Sequence, residues 1–168
     1  MPDSPNAFSL YTTSFLIFDG EWLLLKRAPH KRLAPNRWTG LGGRVEADEL
    51  GDLRGAALRE LGEETGLGER DLKHLALRRT LLHNRPGEPF TGLLYYTAEL
   101  KRYALPHCTE GTLHWVTPED FGTLDVIETT TRALPELVRD VENDQRGEEP
   151  THLGLAHYEA GVLVRVSW

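Results

Sequence analysis

Cysteine is nearly absent from this chain of 168 residues: Cys108 stands alone, so no internal disulfide is available. A single thiol reads as a free cysteine of a reducing compartment rather than as a nucleophile. A basic excess is missing as well. With 19 lysines and arginines against 26 aspartates and glutamates, the formal net charge is −7. That balance disfavours DNA and RNA, whose binding needs a dense cationic surface to release counterions. No apolar run approaches the roughly 20 residues that cross a bilayer. The opening Met1-Pro2-Asp3-Ser4-Pro5 lacks the basic and apolar regions of a secretory leader. The histidines are scattered, without metal-ligand spacing. The expectation is a cytoplasmic protein with neither a membrane nor a nucleic-acid polymer as partner.

What the chain does have is material for a core, at 39% hydrophobic and 27% charged residues. Its length favours one domain over 1–168. Tyr11 to Phe18 is β-branched and aromatic, and Asp19-Gly20 separates it from Trp22 to Leu25, a strong hairpin signal. A basic, proline-containing loop from Ala28 to Asn36 leads into the glycine-dense Trp38 to Gly43. Asp52 caps a helix that runs to about Thr65, with Gly66 stopping it. Strands are expected over Leu75–Leu82 and Leu93–Leu100, parted by the Asn84–Gly87 turn, and over Leu113–Val116. Thr117-Pro118 resembles a helix start. A helix over Thr129–Val141 must be kinked or shortened by Pro135. The acidic Asp140–Pro150 reads as a surface connection, and 151–168 as a terminal hairpin and candidate homodimer contact. Mixed strands with one central and one late helix place the chain in the α/β (α+β) class, an α+β fold or an α/β/α sandwich.

The most informative stretch is Arg59-Glu60-Leu61-Gly62-Glu63-Glu64-Thr65-Gly66-Leu67. At about 100° per residue, Glu60, Glu63 and Glu64 share one sector of a helix. They prolong a stripe begun by Leu53, Ala56 and Ala57, where a purely structural helix would go on burying small hydrophobes. Three clustered acids repel one another and lose hydration when buried. Hard divalent cations such as magnesium answer both problems, because they take oxygen ligands and bridge carboxylates to phosphates. A solvated acidic face is the competing account. Against it stand Gly62, placed inside the helix at a cost of about 1 kcal/mol, and the upstream glycines, which permit close backbone approach to a metal or phosphate. Arg59 has a sterically allowed i,i+4 pairing with Glu63 and equally reaches Glu60. Trp38 and Trp115 are candidate stacking partners for a nucleobase, although aromatics at strand ends more often belong to a core. Phe90, Tyr95 and Tyr96 share that ambiguity.

Together these residues resemble the Nudix box, a loop–helix–loop signature of pyrophosphohydrolases. Gly43 is followed after five residues by Glu49, and the second half matches from Arg59 through Leu67 without a gap. Nine residues rather than the usual seven separate Glu49 from Arg59, which we assign to a two-residue insertion in the loop before Asp52. The resemblance implies a Nudix-type α/β/α sandwich around a mixed sheet. It also implies Mg2+ or Mn2+ held by Glu60, Glu63 and Glu64, with the Gly43 main chain and Glu110 as further ligands. Catalysis would rest on Glu60, Glu63 and Arg59, and substrate binding on Arg27 and Trp38. Lys26, Lys31, Arg32 and Arg37 form a local positive patch, with Lys31 and Arg32 read as solvated. The segment Asn36 to Glu46 is similar to the MutT-type branch, which points to a nucleoside triphosphate, ordinary or oxidised, hydrolysed to the monophosphate and pyrophosphate. The alternatives are a nucleotide-sugar or ADP-ribose pyrophosphatase and a catalytically silent nucleotide-binding module.

Overall fold

Two hydrophobic layers, one on each face of a single curled sheet, organise the chain. The structure is a computed structural model describing residues 8–168; the opening segment in which a leader was sought lies outside the described residues. Strand β1 (Phe8–Phe18) turns through Asp19 (φ 49°) and Gly20 (φ 82°) into β2 (Glu21–Arg27). Two successive positive φ values make the primed turn whose twist suits a hairpin. Then come β3 (Trp38–Thr39), helix α1 (Leu53–Thr65), β4 (Leu72–His83), β5 (Phe90–Leu100), β6 (Gly111–Val116), helix α2 (Glu128–Asn143), β7 (His152–Glu159) and β8 (Val162–Ser167). The strand order is β3-β2-β1-β5-β4-β7-β8, with β6 on the other edge of β2. Pairs β1–β5 and β4–β7 are parallel and the rest antiparallel, so the sheet is mixed, as expected.

Runs such as Trp22-Leu23-Leu24-Leu25 are continuously apolar because both faces of the sheet are covered. Leu16, Leu23, Leu25, Leu41 and Leu61 pack on the α1 side. Phe15, Trp22, Leu24 and Tyr95 pack with Leu134 and Leu137 of α2 on the other. Strand β2 stays with β1 only through Leu23. Beyond that the two diverge, and the glycine segment fills the wedge, Leu41 bridging Ser14 and Arg44 bridging Tyr11. This wedge delivers the chain to the start of α1.

Several expectations need correction. Pro135 does not shorten α2, which runs on to Asn143. Its missing N–H costs one bond, while Ala133, Leu134 and Leu137 are buried against the sheet. The helix start expected at Thr117-Pro118 is present, as a 3-10 helix over Pro118–Thr123. The acidic stretch after Asp140 is no mere surface connection. Irregularities in the β4 register around Arg78 send two consecutive arginines inward, at 6% and 5% exposure. Asp140 takes Arg79 through two bonds of 2.6 Å, and Asp144 takes Arg78 at 3.0 Å. The terminal hairpin forms through Ala160 (φ 49°) and Gly161 (φ 79°) and extends the sheet through β4. Among the described residues no helix is long and apolar enough to cross a membrane.

Removing one partner of a buried ion pair strands the other's charge, a loss of about 3–5 kcal/mol. Asp140→Ala should therefore lower unfolding free energy in urea by about 3 kcal/mol. Glu69→Ala, which breaks the exposed Arg54–Glu69 pair, should cost under about 1 kcal/mol.

Candidate active site

Helix α1 begins where the Asp52 carboxylate accepts the Gly55 N–H at 2.8 Å and ends at Gly66, whose φ of 74° and N–H bond to the Gly62 carbonyl close the last turn. Between these caps the helix buries Ala56, Ala57, Leu61 and Glu64. A glutamate thus occupies a core position one turn after Leu61. The three acids, expected to present themselves alike, do not. Glu64 is 8% exposed, Glu60 is largely buried, and the Glu63 side chain remains 60% exposed at the rim.

What holds them differs too. The Glu64 carboxylate accepts the Gly42 N–H at 2.9 Å. Burial pushes its pKa up to about 8 against that hydrogen bond, and the charges of Glu60 and Glu110 push the same way, while Arg27 pulls it down. Burial also raises Glu60, with Arg59 opposing. Gly43 lies so close to Glu60 that a Cβ there would sit 2.5 Å from Oε2. Any side chain at that position would fill the notch the carboxylate faces.

Arg59 is the hub. Its guanidinium donates to Glu49 at 2.5 and 2.9 Å, to Glu60 at 2.8 Å, to Glu63 at 3.2 Å and to the Arg44 carbonyl at 3.1 Å. Sequence reasoning offered Glu60 or Glu63 as its partner; the structure uses both. It also gives Glu49 a role that spacing left open. Glu49 sits on the 3-10 turn Ala47–Glu49, just before the Asp52 cap of α1, and Arg59 holds the Glu49 carboxylate down to a pKa of about 2.

Gly42, Gly43, Arg44, Glu60, Glu63, Glu64, Thr109 and Glu110 surround one open cavity of about 320 Å³, so Glu110 does join the helix acids. Among the described residues, however, no three acidic, histidine or cysteine side chains are gathered as a ready metal cage. Glu60 and Glu63 turn to Arg59, Glu64 to Gly42, and Glu110 to Lys31. The Gly43 carbonyl accepts the Thr12 N–H at 2.9 Å and the Thr12 hydroxyl at 3.5 Å.

Arg27 ends β2 near this cavity, its Nε donating to the Leu33 carbonyl at 2.9 Å. Trp38 is placed elsewhere. Its ring lies edge-on to His114 at 5.0 Å, with the Lys26 ammonium 5.9 Å from its centroid, and it does not line the carboxylate cavity. Trp115 is a core residue packed against Phe18 and Tyr103, with Nε1 bonded to Ala104 O. Tyr95 and Tyr96 are buried as well, and Phe90 stacks on Phe8 at the surface. The expected positive patch is largely neutralised, because Arg37 binds Asp125 and Glu128 and Lys31 binds Glu110.

The family model described as the NUDIX domain matches residues 10–140. The chain belongs to the Nudix family. No curated protein matches it. Among solved structures, this Nudix chain is similar to a MutT protein from Bacillus halodurans at 17% identity and TM-score 0.65, with 95% of this chain and 96% of that one covered. It is also similar to a MutT protein from Methanosarcina mazei, at 22% identity, TM-score 0.64 and 83% and 97% coverage. A third is the Escherichia coli dihydroneopterin triphosphate pyrophosphohydrolase, at 21%, 0.62 and 82% and 97%. At these identities the likeness speaks for the fold.

The folded protein holds the Glu64 proton more tightly than the unfolded chain does. In chelator, stability should therefore fall as pH rises from about 4.5 to about 8. Thermal melts should show Glu64→Gln removing that fall and raising the midpoint at pH 8. A Cβ at Gly62 would meet only the Leu67 carbonyl, 3.7 Å away, so space does not demand glycine there. Gly62→Ala should stabilise the exposed helix turn by about 0.5–1 kcal/mol in urea titrations.

Proposed function

We propose that this Nudix enzyme hydrolyses a nucleoside triphosphate to the monophosphate and pyrophosphate, with Mg2+ or Mn2+ held by Glu60, Glu63, Glu64 and Glu110. The observation that carries this reading is Glu64. A carboxylate at 8% exposure with a peptide N–H as its hydrogen-bond donor, facing further acids across one cavity, is a hard-oxygen donor set short of positive charge. That is the chemistry magnesium and manganese select. The Gly43 notch gives the cation room beside Glu60, and the Gly43 carbonyl, whose contact with the Thr12 hydroxyl is long at 3.5 Å, adds a neutral oxygen. When bound, the cation neutralises phosphate oxygens and acidifies water.

The chain's own residues do the rest. Arg59 fixes Glu60 against Glu49 and the Arg44 carbonyl, so the helix acids enter the reaction already oriented. Glu63, the most exposed of the three, accepts the proton of the water that attacks phosphorus in line. Arg27 steadies the phosphates and takes up charge as the bridging bond breaks. Trp38, packed between Lys26 and His114, offers a base no face from inside the carboxylate cavity.

Glu63→Gln keeps the side chain's shape and removes the proton acceptor. We expect it to fold with an unchanged melting profile and to lose turnover by about a hundred-fold or more. Turnover should be followed as pyrophosphate release from ordinary and oxidised triphosphates, and as nucleotide product formed from nucleotide sugars, ADP-ribose and dinucleoside polyphosphates. Triphosphate turnover that vanishes with chelator is the expected result. Full activity in folded Glu63→Gln would sink the assignment, and preference for a sugar nucleotide or ADP-ribose would replace the substrate.

A further inference from the structure

Lys31 was read from sequence as a solvated loop cation, yet its ammonium closes on the Glu110 carboxylate, with the two side chains 24% and 33% exposed. The pairing is built in from both sides. The Ala28 N–H donates to the Glu110 carbonyl at 3.0 Å, and the Lys31 N–H donates to the Ala28 carbonyl at 3.1 Å. Arg27 Nε grips the Leu33 carbonyl further along the same loop. The loop at 28–36 is thereby folded so that one lysine reaches the one cavity acid that α1 does not carry. Glu110 lines that cavity with Glu60, Glu63 and Glu64, and its charge bears on Glu64.

We propose that Lys31 is the resident counter-ion of Glu110 that a divalent cation displaces, and that the freed ammonium then binds the phosphates of the incoming substrate. This rests on the metal-dependent reading of the same site. The exchange is favoured in one direction. A half-exposed ammonium–carboxylate pair holds by a factor of about two to five. A divalent ion at the same oxygens meets Glu110 together with Glu64, which a neutral peptide N–H holds, and with Glu60 beside it. Once released, the ammonium stays tethered at the mouth of the cavity, because the loop's backbone bonds to Glu110, Arg27 and Ala28 do not depend on it. A flexible point charge with three donors suits a terminal phosphate. Lys31 is thus a positioning residue for the cation site and a specificity residue for anionic substrates. The apo enzyme avoids leaving four carboxylates facing one another with Arg59 alone to neutralise them.

The test is calorimetric titration with Mn2+ alone, without nucleotide, on the full chain and on Lys31→Met, Glu110→Gln and the double variant, each checked for folding by circular dichroism. Lys31→Met should tighten Mn2+ binding about two- to five-fold, Glu110→Gln should weaken it, and Lys31→Met should change nothing once Glu110 is glutamine. With a nucleoside triphosphate, Lys31→Met should raise KM by about five-fold or more while kcat moves less. Wild-type binding that Lys31→Met leaves unchanged overturns this proposal alone, as does equal tightening in the Glu110→Gln background, which would mark a general charge effect. A folded wild type that binds no Mn2+ overturns the metal-dependent reading, and this proposal with it.

Discussion

A carboxylate sits where a helix ought to bury a hydrophobe, and much of the surrounding architecture follows from that. Glu64 lies on the face of α1 that also buries Ala57 and Leu61, and it is admitted to the interior because the Gly42 N–H meets it at 2.9 Å. That bond requires the glycine segment to lie in the wedge between β1 and β2. The wedge in turn exists because β2 leaves β1 after Leu23 and pairs on that edge with β3 from Leu25. Desolvation of an acid with a single neutral donor is costly. Natural chains retain such an arrangement at sites where a ligand supplies the missing charge.

Arg59 complements this. One guanidinium ties the loop, through Glu49 and the Arg44 carbonyl, to the helix, through Glu60 and Glu63. Arginine's planar fork allows four such partners at once, which a lysine ammonium cannot match. The division of labour is physical. The buried acid sets the charge demand, the arginine fixes the half-buried one, and the exposed Glu63 retains access to solvent and protons.

Much of this was legible in the residues. The hairpin at Asp19-Gly20, the Asp52 and Gly66 caps and the register of acids on α1 follow from local rules that tertiary packing did not override. So did the succession of the longer strands along the chain, though not their pairing in the sheet. The acids' inequality was not legible, because helical spacing gives direction but not depth, and depth depends on the glycine wedge. The upstream glycines carry the expected close approaches, at Gly42 and Gly43, whereas a Cβ at Gly62 meets nothing nearer than 3.7 Å and explains no functional need for glycine there. A regular strand sends neighbours to opposite faces, so no local pattern announces that the irregular register of β4 buries Arg78 and Arg79 together. Lys31 and Glu110, 79 positions apart, carry no local pattern that links them, and neither does Trp38 with His114.

The central claim is that the acids of α1 gather a divalent cation next to Gly43. Anomalous diffraction from crystals grown with Mn2+ tests it most directly. The account predicts a manganese peak within bonding distance of Glu60 and Glu64, on the Gly43 side of the helix, with Lys31 turned away from Glu110. A manganese-loaded crystal with no peak between those carboxylates, or with its peak elsewhere on the molecule, would contradict it.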